Sequence, residues 1–238
     1  GTLDDGTQYL KQGNYRFDFK KHEGEYSLHI TDITNNTVIF KQEEPARLGI
    51  RPENEPNDPM GALLEEEALI GRYNSITSKK YGYLAKATLT SQNGSQFEVI
   101  DSYSLENDIF RLTRKVEVIK KGNGDRGFSS NVTLDNVNNP DKQTYDDYEY
   151  MIPAIIYQDE RNIRKGAIAS SKNLESLQVK ETRTGLPLVM LRDKANGYSV
   201  TIAHYKPQIS VDDLLGGGGR WAVDERIQYG SGGYRFKE

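Results

Sequence analysis

Between Asp101 and Tyr157 the chain reads Asp-Ser-Tyr103, then Phe110-Arg-Leu-Thr-Arg-Lys-Val-Glu-Val-Ile119, then Gly127-Phe-Ser-Ser130, then Tyr150-Met-Ile-Pro-Ala-Ile-Ile-Tyr157. Polar residues sit between apolar ones, the period-two pattern of strands that turn one face to a core. The pattern extends upstream. Tyr83, Ala85, Ala87 and Leu89 alternate, and Asn93-Gly94 supplies a hairpin turn before Phe97, Val99 and Asp101. Ile109 to Ile119 predicts a long strand with Leu112, Val116 and Val118 among charges, and Phe128 to Leu134 another. Nearer the start, Tyr15, Phe17 and Phe19 alternate, as do Tyr26, Leu28 and Ile30, and Val38-Ile39-Phe40 follows. These predict a meander of three short antiparallel strands, turning at Lys20 to Gly24 and at Asn35-Asn36.

Breaks punctuate the pattern. Arg51 to Pro59 carries three prolines and reads as an exposed connector. Gly61 to Ile70, with Leu63, Leu64, Ala68 and Leu69, predicts a helical turn or two, and Glu65 to Glu67 reads as a solvated face. Asn136 to Asp147 is turn-rich. Pro153 within Tyr148 to Tyr157 marks an edge, a bulge or a strand end. Leu174 to Thr182, Leu186 to Arg192 and Tyr198 to His204 form a further series, with a hairpin turn at Asn196-Gly197. Trp221 to Tyr229 reads as a last strand before a Gly-Ser-Gly-Gly tail. Roughly twelve or more strands, little helix and no fixed repeat predict an all-β fold. A large antiparallel two-sheet sandwich, one domain over residues 1–238, is the simplest packing solution.

A chain of 238 residues is long enough for a self-sufficient core. Its net charge of −4 comes from 31 basic and 35 acidic residues, interspersed along the chain. No basic face is visible, which argues against nucleic acid as a partner. Cysteine is absent, excluding thiolate catalysis, Cys-based zinc sites and disulfides. No run approaches the roughly 20 apolar residues of a membrane span. The chain opens Gly1-Thr2-Leu3 without Met, as cleavage leaves a chain. A removed signal peptide and a periplasmic or secreted location are therefore expected. Fifteen Tyr against seven Phe favour amphipathic rings, which suit strands and also sugar-contacting surfaces.

Candidate sites are few. Gly216 to Gly219 lacks the Lys and Ser/Thr that a phosphate loop needs, because Arg220 and Trp221 follow. His22, His29 and His204 lack metal-pair spacing, so neither a metal nor a cofactor is expected. His204 ends a strand and is the best placed of the three for a pocket. Trp221 is the lone tryptophan, a core residue or a platform for a pyranose ring. On a single terminal strand, Glu225 would share its face.

Several of these segments resemble the N-terminal β-domain of bacterial six-hairpin glycoside hydrolases. They are Phe97-Glu-Val-Ile-Asp-Ser-Tyr103, Phe110 to Val118, Gly127 to Ser130, Met151 to Tyr157 with Asn162, and Trp221-Ala-Val-Asp-Glu-Arg226, spread over Gly71 to Tyr229. The resemblance implies a galactose-mutarotase-like supersandwich preceding a helical α/α toroid that holds the main catalytic acids. The sequence given ends at Glu238 with no toroid, so an N-terminal fragment of a longer protein is expected, with its catalytic residues elsewhere. Tyr157, Arg161, Asn162, Trp221, Glu225 and His204 are the residues expected to line a carbohydrate cleft.

Three functions follow. The first is a non-catalytic β-sandwich domain of a glycoside hydrolase, scaffolding a C-terminal helical catalytic domain and lining its polysaccharide or oligosaccharide cleft. The second is a stand-alone aldose-epimerase-like enzyme, needing a His and a carboxylate face to face, with His204 and Glu225 as the pair to test. The third is a carbohydrate-binding module without chemistry.

Overall fold

A computed structural model describes residues 1–52, 67–134, 137, 148–153, 168–170, 177–180, 188–203, 220–223 and 227–235. Every regular element among them is a β-strand. The chain divides into two compact units, Gly1–Gly127 and Phe128–Glu238.

The first unit opens with a meander of β1 (Gln8–Gln12), β2 (Tyr15–His22), β3 (Glu25–Asp32) and β4 (Thr37–Gln42), each antiparallel to the next. It has one strand more than the sequence predicts. The turn expected over Lys20 to Gly24 is tighter, because Lys20 to His22 stay in β2 and only Glu23-Gly24 turn. Both have positive φ, 50° and 92°, the backbone a two-residue hairpin needs.

β5 (Ala46–Pro52) then pairs with β6 (Glu67–Gly71). Two expectations are corrected here. Arg51 and Pro52 close a strand rather than open a connector; a proline at a strand end leaves no ladder donor missing. Ala68 to Ile70 are strand, not helix, because Leu69 lies opposite Leu48 and both are buried. That cross-strand pairing overrides local helix preference. Leu63, Leu64, Glu65 and Glu66 lie outside the described residues.

A second meander follows, β7 (Ser75–Lys79), β8 (Gly82–Thr90), β9 (Gln96–Glu106) and β10 (Ile109–Lys120), in spatial order β10-β9-β8-β7. Tyr83, Ala85, Ala87 and Leu89 of β8 and Phe97 and Val99 of β9 are buried, as their alternation requires. Phe19 of β2 meets the Tyr83 and Tyr103 rings at centroid distances of 5.1 and 5.2 Å. The two meanders therefore face each other as layers of an antiparallel sandwich. Fully burying a side chain such as Phe19 or Phe97 contributes about 1.5–3 kcal/mol.

Asn93-Gly94 does turn the chain, with Gly94 at φ 83°, but inside a five-residue connection running from Ser91 to Ser95. Buried side-chain bonds from this loop explain the extra length and are described below. β11 (Asp125–Leu134) follows the second meander.

In the second unit, β12 (Tyr148–Pro153) pairs with β13 (Ile168–Ser170). β12 ends at Pro153, one of the expected uses of that proline. β14 (Leu177–Lys180) is followed by β15 (Leu188–Asp193) and β16 (Ser199–Ala203), and one sheet runs β13-β12-β15-β16. β14 pairs with β17 (Arg220–Val223), and β17 with β18 (Ile227–Arg235). The last strand expected from Trp221 to Tyr229 is thus two strands, since Val223 pairs back onto Ile227. The glycines expected in a tail, Gly230 to Gly233, lie within β18.

Candidate functional site

Along β9 the inward positions are Phe97, Val99, Asp101 and Tyr103, and all four are buried. A carboxylate among apolar neighbours must be paired to stay there. The partner comes from the adjacent strand, where Arg114 of β10 lies opposite Asp101. Its Nε donates to Oδ1 at 2.8 Å and its Nη2 to Oδ2 at 2.6 Å, a two-pronged contact that fits the planar guanidinium. Nη2 also donates to the Pro45 carbonyl at 2.8 Å.

Tyr73 completes the group. Its backbone bridges Tyr26 through reciprocal hydrogen bonds of 2.9 and 3.0 Å. Its hydroxyl donates to Asp101 Oδ2 and lies 2.6 Å from the Tyr103 hydroxyl. The Tyr73 proton is committed to the carboxylate, so Tyr103 donates to Tyr73. The two rings meet edge to face at 6.2 Å.

Burial and the neighbouring Asp101 charge push both tyrosines far above the ordinary phenol range. Burial works against the Arg114 charge, but Asp101 outweighs it and raises the guanidinium above its ordinary value. Neither tyrosine releases a proton near neutral pH, and a general acid or base needs the opposite tuning.

The other buried carboxylates are occupied in the same way. Asp18 accepts from Arg16 Nε, from Arg16 Nη2 at 3.0 Å and from Thr31 Oγ1 at 2.6 Å. Asp125 accepts from Ser91 Oγ at 2.7 Å, Asn93 Nδ2 at 2.8 Å and Ser95 Oγ. Burial pushes the Asp125 carboxyl up, the three side-chain donors outweigh burial, and it is held below the usual carboxylate range. Ser95 Oγ also accepts from the Gly122 N–H at 2.7 Å, tying the loop between β8 and β9 to the approach of β11.

Asp32 and Asp193 organise matching turns. Each accepts from the backbone N–H two residues on, Thr34 or Ala195, and from the amide of the asparagine three residues on, Asn35 or Asn196.

Ser27, His29 and Glu43 come together on the first meander. The His29 Nε2 lies 3.3 Å from Ser27 Oγ and 3.7 Å from Glu43 Oε1. Both contacts use the same ring nitrogen. A serine–histidine–carboxylate relay needs one nitrogen for each partner, so this is no catalytic triad. Burial lowers the His29 pKa, opposed by the Glu43 charge. Among the described residues no three His, Cys, Asp or Glu side chains gather as a metal-binding set.

Of the residues expected to line a carbohydrate cleft, Tyr157, Arg161, Asn162, His204 and Glu225 lie outside the described residues, and so does the pairing of His204 with Glu225. Trp221 is placed by its backbone, on β17 opposite Val179. The single-strand parity linking it to Glu225 does not hold, because β17 ends at Val223. The Tyr73–Tyr103–Asp101–Arg114 group was not singled out from the sequence, although a carboxylate at an inward position of β9 is a visible signal.

No family model matches the chain, and no curated protein and no solved structure matches it. Among the described residues no helix is long and apolar enough to cross a membrane.

Proposed function

We propose that this chain is a non-catalytic β-sandwich domain that acts with a helical glycoside-hydrolase domain, contributing a wall of the carbohydrate cleft. One observation carries the reading. The buried carboxylates Asp18, Asp101 and Asp125 are each held by several donors that belong to the fold. A glycosidase acid–base pair needs two carboxyls poised across a substrate gap, about 5 Å or 6.5–9.5 Å apart. These three are committed to arginine, tyrosine, serine, threonine and asparagine instead. The antiparallel sandwich is the scaffold expected from the six-hairpin resemblance, and Trp221 belongs to β17.

Affinity electrophoresis against a polysaccharide panel tests the reading. Retardation by at least one neutral or mildly charged glycan is expected, and Trp221→Ala should abolish it. Mobility unaffected by every glycan would remove carbohydrate from the account.

A further inference from the structure

We propose that Asn123 is a site of spontaneous covalent modification, where the folded chain closes a succinimide that opens to aspartate or isoaspartate. The fold protects the other two Asn-Gly pairs of the chain. The three pairs are Asn93-Gly94, Asn123-Gly124 and Asn196-Gly197. A glycine after asparagine favours this chemistry, because no side chain shields the backbone nitrogen that attacks or restricts its rotation.

The reaction needs that nitrogen unengaged and the asparagine amide able to turn toward it. The glycine N–H proton passes to water, its nitrogen bonds to the asparagine Cγ, and the bond from Cγ to the amide nitrogen breaks with loss of ammonia. Water then adds to one of the two ring carbonyls. Opening at one gives aspartate. Opening at the other gives isoaspartate, whose main chain is one carbon longer. Nothing is oxidised or reduced.

All three asparagines are exposed, so water reaches each and hydrogen bonding decides between them. At Asn93 the amide donates to Asp125 Oδ1 at 2.8 Å, and the Gly94 N–H donates to the Ser91 carbonyl at 3.0 Å. At Asn196 the amide donates to Asp193 Oδ2 at 2.9 Å, and the Gly197 N–H donates to the Asp193 carbonyl at 2.9 Å. Both reacting groups are tied in each of these pairs, and each amide is held by a carboxylate, the stronger kind of acceptor. The Asn123 amide and the Gly124 N–H have no hydrogen-bond partner among the described residues. They stand in the connection between β10 and β11, outside both strands.

The connection gives the product a consequence. Before Asn123, the Gly122 N–H donates to Ser95 Oγ at 2.7 Å. After it, Asp125 accepts from Ser91, Asn93 and Ser95. An isoaspartate at 123 lengthens the main chain between two points fixed in the same buried cluster, and so loosens the link between β10 and β11.

Peptide mapping by mass spectrometry tests this on the intact protein aged in mildly alkaline buffer, beside a sample aged unfolded in guanidinium chloride. In the folded protein, aspartate and isoaspartate should accumulate at Asn123. Asn93 and Asn196 should convert about tenfold or more slowly, the factor imposed by breaking one bond to a charged acceptor before attack. In denaturant the three should convert at comparable rates, because the bonds that distinguish them are gone. Asn123→Gln should remove the acidic species that ageing produces on isoelectric focusing. The purified isoaspartyl protein should unfold at lower denaturant than Asn123→Asp, which carries the charge without the longer backbone. Folded protein in which Asn123 stays intact, or in which Asn93 or Asn196 converts as fast, overturns the proposal. So does the same ranking in denaturant. An isoaspartyl protein as stable as Asn123→Asp overturns the loosening of the link.

Discussion

Asp101 shows how one residue can look catalytic in composition and be structural in place. Its carboxylate is fully buried and receives Arg114 twice and Tyr73 once. Removing one member of such a group leaves a buried charge without compensation. Asp101→Ala is expected to cost about 3–5 kcal/mol in urea denaturation. Tyr73→Phe keeps the ring packing and loses one bond to a charged acceptor, so about 1.5–3 kcal/mol is expected. A smaller loss for Asp101→Ala than for Tyr73→Phe would show that the ion pair does not organise this layer. Asp125 makes a pH prediction. Folding lowers its pKa, so the unfolded chain binds the proton more readily. Its stabilisation is complete above the unfolded value of about 3.9 and is lost as pH falls through the lower folded value. Acid unfolding followed by circular dichroism should show this loss below about pH 4, and Asp125→Asn should flatten that limb of the curve. The Asp101–Arg114 pair was readable in principle. Asn107-Asp108 is a two-residue turn with φ of 50° and 62°, and counting back from it sets 101 against 114. Tyr73 was not readable, because it arrives from another segment through its bridge to Tyr26.

At the scale of elements, alternation was legible wherever one face is buried and the other wet. β2, β3, β8, β9 and β10 follow their apolar residues closely. The reading failed where tertiary pairing decides. Ala68 and Leu69 carry no strong strand preference and join β6 where Leu48 lies opposite Leu69. That β17 and β18 are two strands escaped notice because the sequence Asp224-Glu225-Arg226 contains no glycine, asparagine or proline. Gly82 shows what an element tolerates. A Cβ built there would lie 1.9 Å from the Tyr103 carbonyl oxygen, so the neighbouring strand would have to move. Gly82→Ala should cost about 1–3 kcal/mol by chemical denaturation. An unchanged midpoint would mean that the contact between β8 and β9 relaxes freely. The same substitution at Gly94 meets open space and pays only for its positive φ, so it should cost less.

For the whole molecule, the all-β antiparallel class was legible because helix-period patterning is missing and turn signals recur between short alternating runs. The function was less legible. Nothing in the strand pattern distinguishes a residue that meets a sugar from one that meets its own core, since Tyr and Trp serve both. The proposed function is a division of labour, in which this domain would engage carbohydrate while Asp18, Asp101 and Asp125 serve the fold. Saturation-transfer-difference NMR on the intact protein with an oligosaccharide panel tests this most directly, since one experiment reports contact with the sugar and any new anomeric signal. The account predicts transfer from protein to at least one glycan with its spectrum otherwise unchanged over hours. Product or anomer signals that grow faster than in buffer would place a reactive centre within this chain and contradict it.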